Sequence, residues 1–384
     1  MAGPALSHGR VGVQDGRIAF VEPARDAPSP CEAVVDLGPG VLFPGLVNAH
    51  CHLELSSLEG RLPLPSAFVP WVAALVAARA GETDERVRDA TARAIASMEA
   101  SGTVAVGDVS NALGHLDLLA ASGLEAVVFY ELIGWDPLQA EGILAHADLR
   151  LRDASRDPAP NVEIRLAAHA PHSVSQALFA GLVERGGPAA LHLAESEAES
   201  RFLSEGDGEW SDFLAERVGP VPFAAPGTSP VTYVSKMGVL HPHLVAAHCA
   251  RVDAEDRALL ARAGVHVAIC PRSNRSLGVG VPPVPEMLAA GVRLCLGTDS
   301  LASAPSLDLL EDAAALRQEF PGLGAADIVG MATTGGARAL GLHDLGTLAP
   351  GKRAAFAFAA AKARPEDPFE FLVSGEAHAV GVEA

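Results

Sequence analysis

Between residues 46 and 340 the chain alternates short apolar runs with longer segments whose apolar positions recur at helical spacing. Eight runs have strand length and polar or glycine-bearing borders, which predicts buried strands over 46–53, 103–108, 125–131, 162–168, 189–194, 244–248, 265–270 and 293–297. The intervening patterns predict helices over 84–100, with Thr83 as cap, and over 112–122, 137–155, 175–185, 197–218, 253–263, 283–290, 306–319 and 325–340. Strands that alternate with helices build parallel sheets. Eight such units over about 300 residues fit an α/β fold, the (β/α)8 TIM barrel, whose active sites lie at the C-terminal ends of the strands.

The two ends read differently. Short strands are expected at 10–13, 17–21, 33–37 and 40–43, with turns at Asp15-Gly16 and Gly38-Pro39. Near the other end, 344–350 leads through Gly351-Lys352 into an apolar run over 354–361, and a last strand is expected near 379–382. This predicts a small β-sandwich built from both termini, residues 1–44 and 345–384, flanking a catalytic barrel over 45–344.

Composition narrows the function classes. The 384 residues are 49% hydrophobic and 20% charged, a profile of compact folding and not of disorder. A formal net charge of −19 repels phosphate backbones and anionic lipid, which argues against nucleic-acid and membrane-surface partners. Cys31, Cys51, Cys249, Cys270 and Cys295 are odd in number, scattered and nowhere spaced C-x-x-C, as expected of reduced thiols in a cytoplasmic protein. No basic segment followed by an apolar one opens the sequence, and no apolar run approaches the ~20 residues of a membrane span.

A barrel demands that unusual polar residues collect where the apolar runs stop, and they do. The first run ends in His50-Cys51-His52; on a strand, residues i and i+2 share a face, so two imidazoles would stand side by side with Cys51 turned away. The fourth run ends at His169, the fifth at His192 and Glu195, the sixth at His248 and the eighth at Asp299. Imidazoles and carboxylates converging from several strand ends suit a catalytic zinc, which takes a few N/O ligands and keeps a position open for a water whose pKa it lowers to about 7.

These residues resemble the amidohydrolase superfamily, in its one-metal deaminase branch. The matching stretches are Pro44-Gly45-Leu46-Val47-Asn48-Ala49-His50-Cys51-His52, Leu191-His192-Leu193-Ala194-Glu195, Ala247-His248-Cys249, Cys270-Pro271-Arg272-Ser273-Asn274 and Leu296-Gly297-Thr298-Asp299-Ser300. Gly346–Lys352 also looks like that family's return into its sandwich, so the resemblance covers nearly the whole chain. It implies a metal-dependent hydrolase in which His50, His52, His192 and Asp299 bind one divalent ion, zinc first, with iron or manganese as alternatives. It implies further that Glu195 is a general acid/base, that His248 hydrogen-bonds the attacking water and that Asp299 takes its proton. A two-metal branch bridges its ions with a carboxylated lysine on the fourth strand; Lys236, Lys352 and Lys362 all lie elsewhere. Zinc deaminases of the H-x-E and P-C-x-x-C type are excluded too, because His52-Leu53-Glu54 has no P-C-x-x-C to complete it.

The implied reaction is hydrolytic deamination of an amino-substituted aromatic N-heterocycle. The stretches His52-Leu53-Glu54-Leu55-Ser56, Ala170-Pro171-His172-Ser173-Val174-Ser175, Ser229-Pro230-Val231 and 297–303 look most like the aminodeoxyfutalosine deaminases of menaquinone biosynthesis, which implies an adenosine-type nucleoside with a carboxylated aromatic tail. Relatives that deaminate adenosine, guanine, S-adenosylhomocysteine or methylthioadenosine share the metal site. Cyclic amide hydrolysis, triazine chlorohydrolysis and an inactive barrel used for binding are the other readings, and the family tendency favours homo-oligomers. Candidate substrate contacts are Glu54, as a pocket residue or a support behind the ligands, His169 and His172 after the fourth strand, Trp71 as a cover, and Ser303. Arg272 or Arg275, which flank Asn274 in a Ser/Asn-rich loop, would pair with a substrate carboxylate.

Overall fold

The computed structural model describes residues 5–24, 33–63, 67–156, 159–219 and 221–382; Cys31 lies outside them. The hairpin β1 (Gly9–Gln14) and β2 (Arg17–Pro23) turns at Asp15-Gly16. Strand β3 (Gly40–Pro44) leads directly into the first barrel strand, β4 (Leu46–Cys51). Then follow β5 (Thr103–Ser110), β6 (Glu125–Leu132), β7 (Val162–Ala168), β8 (Ala190–Leu193), β9 (Val245–His248), β10 (His266–Ile269) and β11 (Arg293–Leu296), and near the C-terminus β12 (Phe356–Ala360) and β13 (Ala379–Val382).

Strands β4 to β7 and β8 to β11 form two four-stranded parallel sheets in sequence order. Backbone bonds join them at both seams. Ala189 N–H donates to Leu166 O and His192 N–H to His169 O between β7 and β8, while Thr298 and Asp299 N–H donate to His50 O between β11 and β4. The sheet is thereby closed into the eight-stranded barrel. At the ends, β12 pairs antiparallel with both β3 and β13, and the β1–β2 hairpin bonds to the C-terminal segment through Ile18 N–H to Lys352 O and Gly351 N–H to Ile18 O.

Inward-pointing side chains make one apolar layer: Val47, Ala49, Ala105, Val127, Phe129, Ala167, Ala190, Val245, Ala268 and Cys295, closed from below by Ala337 and Leu340. The alternate residues, among them Leu46, Cys51, Val106, Val128 and Leu191, pack outward against the helices. Because the strand period is two, the next inward position above Phe129, Ala167 and Ala190 is Glu131, His169 and His192, and two positions above Cys295 lies Asp299. A polar layer therefore sits on the apolar one. In β4 the phase changes: Ala49 faces inward and Cys51 outward, and the β4–β5 register shifts between Asn48 and Cys51. That bulge lets His50 and His52 join the inward layer although Val47 and Ala49 already occupy it.

Several helical expectations need correction. The segment 112–122 is helical only over Leu116–Ala120, because the Asn111 and Ala112 N–H groups are taken by Glu54 and Leu113 has a left-handed backbone. The segment 197–218 breaks into Glu197–Glu205 and Glu209–Arg217 at Gly206 and Gly208, both with positive φ. Residues 33–37 form no strand; Val34 and Val35 are exposed. The helix Phe68–Ala80 was not expected, since it is apolar almost throughout and carries no one-sided pattern.

The last expected helix, 325–340, contains a π turn over Met331–Gly335 between Ala325–Gly330 and Gly336–Leu340. Close approach explains its glycine: a Cβ on Gly336 would stand 2.4 Å from Val47 O and 2.9 Å from Val47 Cβ. A Cβ on Gly330 meets nothing within 4 Å. Gly336→Ala should therefore cost about 1–3 kcal/mol through overpacking against β4, whereas Gly330→Ala should be neutral or stabilise by up to ~1 kcal/mol. Urea midpoints of the two variants check this; equal midpoints would refute the close packing.

Candidate active site

The polar layer brings three imidazoles and a carboxyl, the four candidate metal ligands, to one point. Donor atoms of His50, His52 and His192 all lie within 4.8 Å of one another. The Nε2 atoms of His52 and His192 are 3.1 Å apart, and Asp299 Oδ1 lies 3.6 Å from His52 Nε2 and 4.0 Å from His50 Nε2. Bonds of 2.0–2.1 Å to a tetrahedral zinc imply ligand atoms roughly 3.3 Å apart, so the cluster needs only small adjustments to close on an ion. Both nitrogens of His50 are buried without a hydrogen-bond partner among the described residues. Burial, followed by the neighbouring His192, holds His50 well below its usual pKa, so its imidazole is the neutral form that a metal requires. The residues present fit a divalent ion.

Asp299 is held by its other oxygen. Oδ2 accepts from Ser273 Oγ at 2.5 Å and from Ser303 Oγ at 2.9 Å, leaving Oδ1 to face the imidazoles. Burial pushes this carboxyl up, but His52 and His248, with the Ser273 bond, bring it net below its ordinary value, so Asp299 is anionic. Glu195 goes the other way: burial raises it and outweighs His248 and His192. Two carboxyls in one site are thus driven apart, one held toward its anionic form, the other toward its protonated form.

His248 Nδ1 is 2.9 Å from Asn274 Oδ1, which selects the Nδ1–H tautomer and leaves Nε2 toward Glu195 Oε1 at 3.6 Å. Ala194, His248, Cys249 and Asp299 have left-handed backbones, with φ of 50°, 71°, 46° and 61°. Non-glycine residues in this region store strain, and here they sit beside or within the proposed catalytic set.

The structure places the other expected contacts as follows. Ser303 and Asn274 lie at the site but bond Asp299 and His248, so they position these groups. His169 reaches the site, its ring 5.1 Å from that of His192 and its Nδ1 2.5 Å from Ser173 Oγ. His172 is buried behind it, stacked 3.8 Å from Trp210. Glu54 turns away as a support: its oxygens accept from Ser110 Oγ, Arg79 Nη2 and the N–H groups of Asn111 and Ala112. Trp71 is buried in a small cluster with Leu277 and Val279. Arg272 does not fit a substrate carboxylate, because its guanidinium is committed to Asp312 and Ser306, to Asp308 O and to Glu311. Arg275 is exposed and faces Glu319 at 3.3 Å.

Two buried carboxylates escaped the sequence reading. Glu131 lies 3.4 Å from His192 Nδ1, which is also 3.1 Å from His169 O, and it accepts from Asn111 Nδ2 at 2.9 Å. It is the last inward-facing residue of β6, so the strand-end criterion that selected the histidines would have found it. Glu199, in the helix after Glu195, carries no such signal.

The chain belongs to the Amidohydrolase family, which matches residues 41–382. Over 372 residues it is 32% identical to the 5-methylthioadenosine/S-adenosylhomocysteine deaminase of Moorella thermoacetica, covering 92% of this chain and 82% of that protein. The aminodeoxyfutalosine deaminase of Deinococcus radiodurans is 33% identical over 322 residues, 78% of this chain and 73% of that one. Among solved structures, an adenosine deaminase from Xanthomonas campestris with bound zinc superposes with a TM-score of 0.77 at 27% identity, covering 97% of this chain and 85% of that one.

His192→Ala should lose metal and activity together, whereas Asn274→Ala should keep close to one equivalent of metal and lose kcat by ~10-fold or more as His248 loses its orientation. Metal analysis and kcat of both variants check this; metal loss in Asn274→Ala would contradict the separation of roles.

Proposed function

We propose that this protein is a metal-dependent aminohydrolase that converts the adenine ring of an adenosine-type nucleoside to its 6-oxo form, with 6-aminodeoxyfutalosine as first candidate. The observation that carries the reading is Glu195: a buried carboxyl with a raised pKa, outside the His50/His52/His192 cluster and 3.6 Å from His248. Such a group suits proton transfer to a ring nitrogen, and one divalent ion, zinc before iron or manganese, fits the adjacent donors.

Water adds to C6, the C6–N bond breaks and ammonia leaves. The ion, when bound, acts as a Lewis acid and lowers the pKa of water to about 7. Asp299 Oδ1 accepts one proton of the attacking water and Glu195 delivers its own to the ring nitrogen beside C6. The Glu195 carboxylate then takes the proton of the C6 hydroxyl and passes it to the departing amine, and the proton held by Asp299 restores Glu195. His248 Nε2, bare in the Nδ1–H tautomer, accepts a hydrogen bond from the attacking water. Ser273 and Ser303 keep Asp299 from turning away.

The quoted motif stretches and the similarity to the Deinococcus protein support the aminodeoxyfutalosine reading; the methylthioadenosine/S-adenosylhomocysteine relatives support a second one. Because Arg272 is saturated, the preference for an anionic tail rests on the resemblance. No helix among the described residues is long and apolar enough to cross a membrane, and four free cysteines are buried, in keeping with a cytoplasmic setting. The pairing of β3 with β12 and of the β1–β2 hairpin with the C-terminal segment supports a sandwich from residues 1–44 and 345–384 beside a catalytic barrel over 45–344.

Ammonia release from a panel of 6-aminopurine nucleosides should be highest, as kcat/KM, for aminodeoxyfutalosine; equal or better turnover of methylthioadenosine would move the assignment to the second reading, and no release from any member would end both. Glu195→Gln should retain metal and fold while kcat falls ~10²–10⁴-fold. Turnover near the wild-type rate would remove Glu195 from the mechanism.

A further inference from the structure

Behind Glu195 lies a buried polar group that the proposed chemistry does not use. In the helix Glu197–Glu205, Ser196 is the N-cap and its Oγ accepts the Glu199 N–H at 3.2 Å. An ordinary reciprocal cap would send the Glu199 carboxyl back to the N–H of Ser196. Instead Oε2 reaches one residue further and accepts the N–H of Glu195 at 2.9 Å. The backbone of the proposed proton carrier is therefore gripped from outside its strand, directly after the left-handed Ala194.

The grip has its own backing. Glu199 Oε1 has no hydrogen-bond partner among the described residues and lies 3.9 Å from His172 Nδ1. Both His172 nitrogens are likewise unpartnered, and its ring is stacked at 3.8 Å on Trp210, whose Nε1 is also buried and unpartnered. Glu199 and His172 are 1% and 3% exposed. Burial raises Glu199 to about 8 and lowers His172 to about 3, so both are neutral near pH 7. A neutral Glu199 adds no negative charge beside Glu195. Keeping a carboxyl in the core with an unpartnered oxygen is costly for a cap that an exposed side chain could supply.

We propose that Glu199, backed by His172 and Trp210, is a positioning residue that fixes the backbone of Glu195 so that its carboxyl stays beside His248. The proposal rests on the reading of Glu195 as the proton carrier. Aspartate at position 199 remains a good helix-start residue but is one methylene too short to reach the Glu195 N–H, while glutamine keeps both length and acceptor.

The test compares the metal-loaded wild type with Glu199→Asp, Glu199→Gln, Glu195→Gln and the double variant Glu195→Gln/Glu199→Asp, reading kcat, KM, metal content and Tm. Glu199→Asp should lower kcat at least 10-fold with KM within threefold and metal retained. Glu199→Gln should restore most of that loss, and the double variant should be no slower than Glu195→Gln alone, because the two residues act as one unit. Wild-type kcat in Glu199→Asp, or a Tm loss with no kcat loss, overturns the proposal and leaves the proton-carrier reading intact. Near-wild-type turnover by Glu195→Gln overturns that reading instead. If Glu199→Asp does not fold, His172→Phe takes its place: a kcat loss of at least threefold with metal retained supports the proposal, and unchanged kcat overturns it.

Discussion

The backbone seam between β11 and β4 is the contact on which the site depends. His50 O accepts two N–H groups, from Thr298 and Asp299, and His52 N–H returns to Asp299 O. Asn48 Nδ2 adds a bond to Thr298 Oγ1 at 2.7 Å. These bonds join residues 247 to 250 positions apart, so His50 and His52 meet Asp299 only when the sheet has closed. The proposed ligand set is therefore complete only in the closed barrel.

Closure also fixes the electrostatics. Imidazoles and carboxyls stand in one water-poor layer, where an unpaired charge is expensive and each group's state is set by its neighbours. Burial keeps His50 neutral, Ser273 and the histidines keep Asp299 charged, and burial keeps Glu195 protonated more readily than an exposed glutamate. Left-handed backbones at Ala194, His248 and Asp299 turn these side chains where an unstrained strand end would not. The tight packing of Gly336 on Val47 shows how little room the scaffold has to shift.

How much of this was legible follows from sequence separation. The strands and the inward-facing ligands could be read from a period of two and from where each apolar run stops, both local properties. The bulge that brings His50 into the inward layer could not, because register is decided by the neighbouring strand. Arg272 illustrates the same limit: its sequence neighbours suggest a free cation, but Asp312, 40 residues on, takes the guanidinium. Glu54 is similar, its fate decided by Arg79 and Ser110. The break at Gly206 and Gly208 was visible as two glycines, yet a helical pattern on either side concealed it. Glu131, by contrast, is legible from the same local rule, as the last inward-facing position of its strand.

The proposed site holds one ion on His50, His52, His192 and Asp299 and keeps Glu195 and His248 outside its ligand set. A crystal structure of the metal-loaded protein, with anomalous data collected at the edge of the bound metal, tests it most directly. A single anomalous peak is expected within bonding distance of those four side chains, with Glu195 beyond it. A peak between Glu131, His169 and His192, or two peaks sharing His192, would contradict it.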